Sequence, residues 1–375
     1  MKATVLRENL KEGLGIVERI VAKSLTLPIL NNTLISIQKN SVKLSATDLQ
    51  LGIYYEFPGK TDGDKQAIFA PRLLSSLVSV IGENQINLEI KDANLIVQSG
   101  GYDASIKTLD AEDFPIIPIL KGDEPFVEVE IGAFCRGMNQ VVGMAGQSQA
   151  RPEIFGIFCV FEKEKMKIVA TDSFRLAEKK LAFEKPNKNE TSFILPQKTA
   201  RELISIFGEK TGKMKIFFSP TQAFFDYTDE KTPSPVHIQV VSRLIEGEYP
   251  HYEDIMPTNH KTKAAVPRAA LADHVKVAGI FSGKTNEIRV LADPTKKGLF
   301  FSSQSNEAGE NKSFLEGEVT GDKVEAAFNW RFLSEGIAQM KGENLEFGLN
   351  GEDGPALLQS GDQEGYVYVI MPIKA

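Results

Sequence analysis

Short runs in which apolar and polar residues alternate occupy most of the chain, and two amphipathic helical segments interrupt them in each third. Clear examples of the alternation are residues 86–90, 126–131, 214–218 and 366–370. Alternation with a period of two is typical of a strand with one buried face. Turn pairs such as Asp62-Gly63 and Gly100-Gly101 separate neighbouring runs. The pattern predicts an α+β protein whose strands are mainly antiparallel.

The helical segments recur at a nearly constant spacing, which indicates an internal repeat. One helix in each third is predicted to start near Pro71, Pro196 or Asn329, at positions 125 and then 133 residues apart. Proline and asparagine are favoured at helix starts. A second amphipathic segment precedes each of these helices, over residues 9–21, 133–145 and 268–281. The spacing predicts three copies of one plan, each with two helices packed on antiparallel sheets.

Other landmarks recur in the same order. A strand ends in a similar turn at Asp48 and at Asp172, and the first two thirds close on the matching pairs Phe114-Pro115 and Tyr249-Pro250. Each third is about 120 residues long, which is a common size for a domain. We predict an N-terminal domain at residues 1–122, a central domain at 123–257 and a C-terminal domain at 258–375.

Charge is distributed unevenly between the helices and the rest of the chain. The chain has 375 residues and a net charge of -7, which is the wrong sign for holding a polyanion by bulk charge. The predicted helical segments 7–23, 71–82, 133–147, 197–210, 268–284 and 329–341 contain 14 basic and 7 acidic residues, and the remainder contains 29 and 43. Scatter over solvated helix faces would explain this. A helical surface that faces a polyanion would explain it equally well.

The sequence offers little catalytic chemistry. It has no GxxxxGK[ST] phosphate loop, and Gly13-Leu14-Gly15 lacks the third glycine of a dinucleotide fingerprint. The four histidines have no metal-binding spacing, and Cys135 and Cys159 match neither a disulfide framework nor a zinc site. We expect no cofactor and no metal. Because no signal pattern and no apolar run of roughly 20 residues occurs, we also expect a cytoplasmic protein that contacts no membrane.

Asp48 and Asp172 are the best candidates for an enzyme, because two carboxylates in different environments can divide acid and base roles. A cytosolic hydrolase built on this pair is therefore one hypothesis. Both aspartates, however, follow Ala-Thr at the end of a strand in equivalent repeats. This placement favours a turn-capping role, in which carboxylate oxygens accept hydrogen bonds from nearby backbone N–H groups.

Four short segments, in the same order along the chain, carry a resemblance to a known family. They are Leu27-Pro28-Ile29-Leu30-Asn31-Asn32, Ala170-Thr171-Asp172-Ser173-Phe174-Arg175-Leu176-Ala177, Tyr249-Pro250 with Ile255-Met256-Pro257, and Tyr368-Val369-Ile370-Met371-Pro372-Ile373. With these segments, the chain resembles the β subunit of bacterial DNA polymerase III, the sliding-clamp family, over essentially its whole length.

The resemblance implies a fold and a function. Members of this family are head-to-tail homodimers of three-domain subunits, which close into a ring with helices inside and sheets outside. The resemblance implies a non-enzymatic processivity factor without a cofactor, which encircles duplex DNA without sequence preference. The implied partners are the DNA polymerase III catalytic subunit, the clamp loader and other proteins with a clamp-binding motif, such as repair polymerases, ligase and mismatch repair proteins.

The family's motifs also carry site residues onto this sequence. The implied DNA contacts are Lys23, Arg72, Gln149, Lys198 and Arg201. The implied cleft for partner peptides is formed by Ile154, Thr171, Ser173, Phe174, Arg175, Leu176, Pro250, Ile255, Val369, Met371, Pro372 and Ile373. The implied dimer interface places Ile280 and Phe281 of one subunit against Ile106 and Leu109 of the other.

Two departures from the family pattern affect the implied cleft. Many members have Gly-His where this chain has Ser173-Phe174, and a basic residue where it has Asp254. A narrower pocket, a less positive rim and a different peptide preference are therefore expected. A remaining hypothesis is a monomeric adaptor that keeps the cleft but has lost the ring. The mass in solution distinguishes the two, because the monomer weighs 41.3 kDa and a dimer twice as much.

Overall fold

All six predicted helices form, and most of them end a few residues before the apolar pattern does. The protein is described from a computed structural model, and the structure describes residues 1–21, 27–120, 122, 124–146, 151–229 and 234–374. Its α-helices are α1 (Arg7–Val17), α2 (Pro71–Val80), α3 (Ile131–Val142), α4 (Pro152–Phe155), α5 (Gln197–Phe207), α6 (Arg268–Ile280) and α7 (Trp330–Gln339). The short helix α4 was not predicted.

The ends of the helices follow from local backbone hydrogen bonds. Helix α6 stops at Ile280 because the next residue, Phe281, donates its N–H to the carbonyl of Ala278, only three positions back. At the start of α7, the side chain of Asn329 accepts a hydrogen bond from the N–H of Arg331 at 3.0 Å. The predicted strand 126–131 is one residue too long, since Ile131 already begins α3.

Antiparallel strands make up most of the rest of the described chain. The strands of the first half are β1 (Lys2–Leu6), β2 (Thr33–Gln38), β3 (Ser41–Thr47), β4 (Leu51–Thr61), β5 (Lys65–Phe69), β6 (Gln85–Lys91), β7 (Asn94–Ser99), β8 (Tyr102–Leu109), β9 (Phe126–Glu130), β10 (Ile157–Phe161), β11 (Lys165–Thr171), β12 (Arg175–Ala182) and β13 (Thr191–Leu195). Those of the second half are β14 (Lys213–Phe218), β15 (Gln222–Asp229), β16 (Val236–Arg243), β17 (Thr262–Pro267), β18 (Glu287–Asp293), β19 (Gly298–Ser305), β20 (Gly309–Glu316), β21 (Glu318–Gly321), β22 (Val324–Asn329), β23 (Asn344–Leu349), β24 (Ala356–Gln359) and β25 (Tyr366–Ile370).

The first compact unit consists of residues 1–135 and 198–244. Its strands form one twelve-stranded sheet in the order β1-β6-β7-β8-β5-β2-β3-β4-β16-β15-β14-β9. Strand β4 of the first repeat pairs with β16 of the second, with Leu51 opposite Ser242 and Ile53 opposite Val240. The sheet therefore continues from one repeat into the next without an open edge between them.

The second compact unit consists of residues 136–197 and 245–375. It contains a nine-stranded sheet in the order β13-β10-β11-β12-β25-β24-β23-β17-β21 and a four-stranded sheet in the order β20-β19-β18-β22. Strand β12 pairs with β25, with Arg175 opposite Ile370 and Leu176 opposite Val369. This pairing repeats the relation of β4 to β16 in the first unit. The predicted domain boundaries near residues 122 and 257 stay a prediction.

Glycines in two helices allow an aromatic ring of the sheet to pack close to the helix. A Cβ on Gly13 of α1 would lie 2.4 Å from Cδ1 of the buried Tyr55, and a Cβ on Gly336 of α7 would lie 2.4 Å from Cε1 of Tyr368. Tyr368 also donates its hydroxyl to the carbonyl of Phe332, at 2.8 Å. Any larger residue at these glycines would push the helix away from its sheet.

Several strands have a free edge within the described part of the chain, and β8 and β20 are two of them. Strand β8 pairs with β7 from Tyr102 to Lys107 and with β5 only through Thr108 and Leu109. Strand β20 pairs with β19 alone and lies at the end of its sheet. Such edges present unpaired backbone groups that another strand can satisfy. Among the described helices, none combines the length and the apolar character needed to cross a bilayer.

One hydrogen-bonded pair between neighbouring strands of the first unit predicts a pH dependence. His237 lies 2.7 Å from Asp226 Oδ1, and this hydrogen bond raises the pKa of His237. The stabilisation is complete below the ordinary histidine value of about 6.5 and is lost as the pH rises through the raised folded-state pKa. We expect His237→Gln, which keeps a donor but no charge, to lower the free energy of unfolding more at about pH 5.5 than at about pH 9. Urea denaturation measures this, and equal losses at both pH values would contradict it.

Candidate functional site

A tight turn joins β11 to β12 and lies at the centre of the predicted cleft. Thr171 Oγ1 donates to the carbonyl of Arg175 at 2.6 Å and accepts from the N–H of Ser173 at 3.1 Å. Asp172 Oδ1 accepts from the N–H groups of Phe174 and Arg175, at 3.0 and 3.1 Å. These bonds hold Ser173 at a φ of 74°. The Thr-Asp pair therefore fixes the turn through its side chains, as an Asx-type cap does.

The equivalent turn in the first unit confirms that the two aspartates are caps. Asp48 Oδ1 accepts from the N–H groups of Gln50 at 3.0 Å and Leu51 at 2.7 Å. Its second carboxylate oxygen forms an ion pair with Lys198. Both carboxylate oxygens of Asp48 therefore have hydrogen-bond or ion-pair partners. The same is true of both oxygens of Asp172. This geometry argues against the hydrolase hypothesis, which needs carboxylates free to exchange protons with a substrate.

An apolar cluster forms the floor beneath the 171–175 turn. Leu176 of β12 lies directly opposite Val369 of β25, and each is 1% exposed. Tyr249 stacks on Phe158 with ring centroids 4.6 Å apart, which encloses one side of the cluster. The buried members of the cluster are Val169, Leu176, Ile194, Tyr249, Tyr252, Leu357 and Val369. The turn therefore lies on a packed apolar core.

The predicted cleft residues divide into a buried floor and an exposed rim. The buried members are Ile154, Thr171, Arg175, Leu176, Val369 and Pro372. Met371 and Ile373 are half-buried, and Ser173 and Pro250 are exposed. Two large apolar side chains of the rim face solvent, since Phe174 is 62% exposed and Ile255 is 47% exposed. Met371 donates its N–H to the carbonyl of Phe174 at 2.8 Å, which ties the end of β25 to the turn.

Arg175 is the charged centre of the site, although it is only 9% exposed. Its guanidinium contacts Asp172 Oδ2 at 2.9 Å and Glu335 Oε2 of α7 at 2.5 Å. It also lies over the ring of Phe332, 4.2 Å from the centroid. Burial opposes the charge, but Tyr368 and the two carboxylates outweigh burial and raise the pKa of Arg175. The arginine therefore links the turn to helix α7 as a fully paired cation.

Sequence reasoning missed several residues of this site. Tyr252 donates its hydroxyl to Glu178 Oε2 at 2.6 Å, and burial together with this carboxylate raises the pKa of Tyr252, so it stays a donor. Its proximity in sequence to Tyr249-Pro250 was a signal that could have identified it. No sequence motif pointed to Leu357 or Glu335. Glu335 lies 160 residues from its partner Arg175 along the chain.

The predicted DNA contacts are only partly within the described residues. Arg72 on α2 and Arg201 on α5 are exposed and form no ion pair or side-chain hydrogen bond with the described part of the chain. Lys198 is 59% exposed, but its ammonium pairs with Asp48. Lys23 and Gln149 lie outside the described residues. Within the helix ends that the structure shows, the six predicted helices hold nine basic and five acidic residues. Their excess of positive charge is therefore smaller than that of the longer predicted segments.

The predicted dimer-interface residues differ in their accessibility. Leu109 at the end of β8 is 52% exposed, and Ile280 at the end of α6 is 69% exposed. Phe281 is half-buried. Ile106 is only 7% exposed, because its side chain points into the core of its own sheet opposite Leu95. The side chain of Ile106 is therefore less accessible to a partner subunit than we expected from the sequence.

The described residues hold no group of three or more His, Cys, Asp or Glu side chains arranged to bind a metal ion. Cys135 and Cys159 are both buried and form no disulfide, and burial raises the pKa of Cys159. A thiol of this kind is a poor nucleophile, because the thiolate is the reactive form.

Comparison with known proteins identifies the same family along almost the whole chain. Family models described as the N-terminal, central and C-terminal domains of the DNA polymerase III beta subunit match residues 1–118, 128–251 and 253–374. The beta sliding clamp of Synechococcus elongatus is 24% identical over 383 residues, covering 100% of this chain and 99% of the relative. That of Bacillus subtilis is 23% identical over 387 residues, covering 100% of both.

Solved structures of sliding clamps have the same fold. The Bacillus subtilis clamp superposes with a TM-score of 0.91 at 22% identity, covering 100% of this chain and 99% of that one. The Pseudomonas aeruginosa clamp, solved bound to griselimycin, superposes with a TM-score of 0.90 at 23% identity and covers 100% of both chains. These likenesses confirm the predicted fold of three α+β clamp domains with helices packed on antiparallel sheets.

The ion pairs of Arg175 predict an unequal response to mutation. Arg175→Ala would leave two carboxylates near a buried site without their cation, so we expect the free energy of unfolding to fall by about 3–5 kcal/mol. Glu335 is 51% exposed, so Glu335→Gln should cost less than about 1 kcal/mol. Arg72→Ala, which removes an exposed arginine without an ion pair, is the control and should change little. Urea denaturation measures all three, and a loss below about 1 kcal/mol for Arg175→Ala would show that its ion pairs contribute little to stability.

Proposed function

Because the chain belongs to the DNA polymerase III beta subunit family, we propose an assignment of its described surfaces to the tasks of a sliding clamp. The protein is a DNA sliding clamp, a non-enzymatic subunit that confers processivity on the replicative polymerase. The observation that carries the assignment is the apolar floor beneath the 171–175 turn, bordered by the exposed Phe174 and Ile255. Such a surface suits a short peptide with large apolar anchors.

The cleft is the proposed docking site for partner peptides. Leucine and phenylalanine side chains of a partner would enter between the turn and the end of β25, over Leu176 and Val369. The side chains of Phe174, Met371 and Ile255 would then cover them from solvent. The polymerase and the clamp loader would compete for this site, and we propose that repair polymerases, ligase and mismatch repair proteins use it too. The narrower entrance beside Phe174 would set which peptides bind best.

The basic residues of the helices are the proposed DNA contacts. Arg72 and Arg201 are exposed and carry charges that no described side chain neutralises, so they are free to meet phosphate oxygens. Lys198 would contribute less, because Asp48 already offsets its charge. Lys23 and Gln149 complete the proposed set. Contacts of this kind are weak and independent of sequence, which allows the protein to slide along the duplex.

A head-to-tail homodimer is the proposed assembly. The free edge of β8 in one subunit and the free edge of β20 in another would complete each other's backbone hydrogen bonds. Leu109 would then lie near Ile280 and Phe281 of the partner, while Ile106 would contribute its backbone and not its buried side chain. Two such interfaces close a ring, because a heterologous contact that returns to its start ends the assembly.

Tethering explains how such a protein works without chemistry of its own. A polymerase held beside its primer end rebinds faster than it diffuses away, because the tether gives it a high effective concentration. No cofactor is needed for this, since the ATP and Mg²⁺ belong to the loader and the polymerase. We also propose a cytoplasmic location, where two buried cysteines would stay reduced.

The proposed cleft predicts a loss of partner binding without a loss of fold. Phe174→Ala together with Ile255→Ala removes two exposed apolar side chains, so we expect peptide affinity and polymerase stimulation to fall at least about tenfold. The free energy of unfolding should change by less than about 1 kcal/mol, because neither side chain is buried. Leu6→Ala removes a side chain of similar exposure, 42%, in the first unit and is the matched control.

Fluorescence anisotropy with a peptide from the polymerase, and primer extension with that polymerase, would measure the effect. Light scattering would check that both variants keep the mass of a dimer. Unchanged peptide affinity in the Phe174→Ala, Ile255→Ala variant would rule out this cleft as the docking site. A monomeric wild-type protein would instead favour the adaptor hypothesis.

A further inference from the structure

The turn at residues 47–51 of the first unit has the same geometry as the turn at residues 171–175 in the cleft. Thr47 Oγ1 donates to the carbonyl of Leu51 at 2.9 Å and accepts from the N–H of Leu49 at 2.9 Å. Leu49 has a φ of 73°, which is within one degree of that of Ser173. The backbone that shapes one side of the peptide cleft is therefore present a second time.

The surroundings of this turn also match those of the cleft. Gly52 lies opposite Val241 in the β4–β16 pair, just as Leu176 lies opposite Val369 in the β12–β25 pair. A segment that starts at Phe114-Pro115 covers the first pair, and one that starts at Tyr249-Pro250 covers the second. The two places are thus internal counterparts of one another.

The two counterparts differ in which side chain fills the floor. A Cβ on Gly52 would lie 2.4 Å from Ile117 Cγ2, so Ile117 occupies the space that a leucine takes in the cleft. Tyr54 donates its hydroxyl to the carbonyl of Ile117 at 2.7 Å and holds this segment in place. A cavity of about 180 Å³ remains beside it, lined in part by Leu49, Val241 and Arg243.

The rim of this cavity exposes large apolar side chains. Ile116 is 97% exposed and Leu49 45%, and both line the cavity. Leu49 is also strained, because a bulky residue at positive φ costs on the order of 1–3 kcal/mol. Asparagine or glycine would fit that backbone with less strain. An exposed leucine at a strained position points to a contact that its side chain makes with a ligand.

Arg243 gives the cavity a fixed positive charge. Its side chain is exposed and lines the cavity, and it forms no ion pair or side-chain hydrogen bond with the described residues. A guanidinium presents paired N–H donors that match the two oxygens of a carboxylate. The combination of an apolar cavity with a free arginine is therefore complementary to an apolar residue beside an acidic one.

We propose that this cavity is a second peptide-binding site, which takes a short extended segment of a client protein. One apolar side chain of the client enters between Leu49 and Ile117, and a neighbouring carboxylate binds Arg243. The volume is below the roughly 300–1,000 Å³ typical of small-molecule sites, so it suits a single side chain and not a whole cofactor. The statement that the ligand is a client, meaning a protein that binds the clamp, rests on the proposed function. The other parts of the proposal do not. Two weak sites on one subunit would bind a client more tightly than either alone.

A fluorescein-labelled hexapeptide with adjacent leucine and aspartate between glycine and serine residues tests the site. The Phe174→Ala, Ile255→Ala variant is the background, so that the cleft contributes little to the measured anisotropy. In this background we expect Arg243→Gln and Leu49→Asn each to weaken binding about tenfold. Replacing the aspartate of the peptide by asparagine should weaken binding to the same extent, and should have no further effect in Arg243→Gln.

Two controls separate a binding role from a structural one. Lys60→Gln removes an exposed charge at the far end of β4, about 30 Å along the strand, and should leave binding unchanged. Leu49→Asn should leave the free energy of unfolding equal or higher, because asparagine tolerates positive φ. Lower affinity with undiminished stability is a result that a merely structural Leu49 would not give.

Other results would overturn the proposal. Absence of binding in the background variant, or equal weakening by Lys60→Gln, would mean that the cavity has no specific affinity for this peptide. A change in the mass of the assembly on Leu49→Asn would mean that a second copy of the chain covers the surface instead. Each of these results leaves polymerase stimulation by the wild-type protein untouched, so failure of the second site is distinguishable from failure of the clamp assignment.

Discussion

The structure depends on two antiparallel strand pairs, β4 with β16 and β12 with β25. Each pair joins the sheet of one repeat to the sheet of the next, so the unpaired backbone groups that an edge strand would expose are satisfied within the chain. Because the pairing fixes the register, it also fixes where the turns at residues 47–51 and 171–175 lie relative to the crossing strand. The two proposed peptide-binding surfaces lie at these turns, so their positions follow from the strand pairing.

The turns at residues 47–51 and 171–175 have the same backbone geometry but carry different side chains. Leu176 and Phe174 supply an apolar floor and rim at the second turn, whereas Gly52 and Gln50 stand at the same places in the first. Ile117 then fills the space above Gly52. Only a few side chains therefore distinguish the surfaces of the two repeat junctions. The fold supplies the position, and the local residues supply the chemistry.

Periodicity and repeat spacing were enough to predict the helices, many of the strands and the capping role of Asp48 and Asp172. These features depend on neighbours within a few positions, which is the range over which sequence patterns are informative. The contact of Arg175 with Glu335 could not be predicted, because it joins residues 160 positions apart. The burial of Ile106 was missed for a related reason, since alternation along β8 does not tell which face lies in the core. The predicted cleft residues came from the resemblance to a family. Which of them are buried and which are exposed could be seen only in the three-dimensional structure.

A sliding clamp holds DNA by encircling it, and the net charge of -7 of this chain would otherwise oppose binding to a polyanion. The most direct test is to load the protein onto nicked circular duplex DNA with a clamp loader and ATP, and then to pass the complex through a gel-filtration column in high salt. Salt largely screens the phosphate contacts, so only topology can retain the protein. We expect retention on the circle and loss after the circle is cut at one site. Equal loss from circular and linear DNA would contradict it.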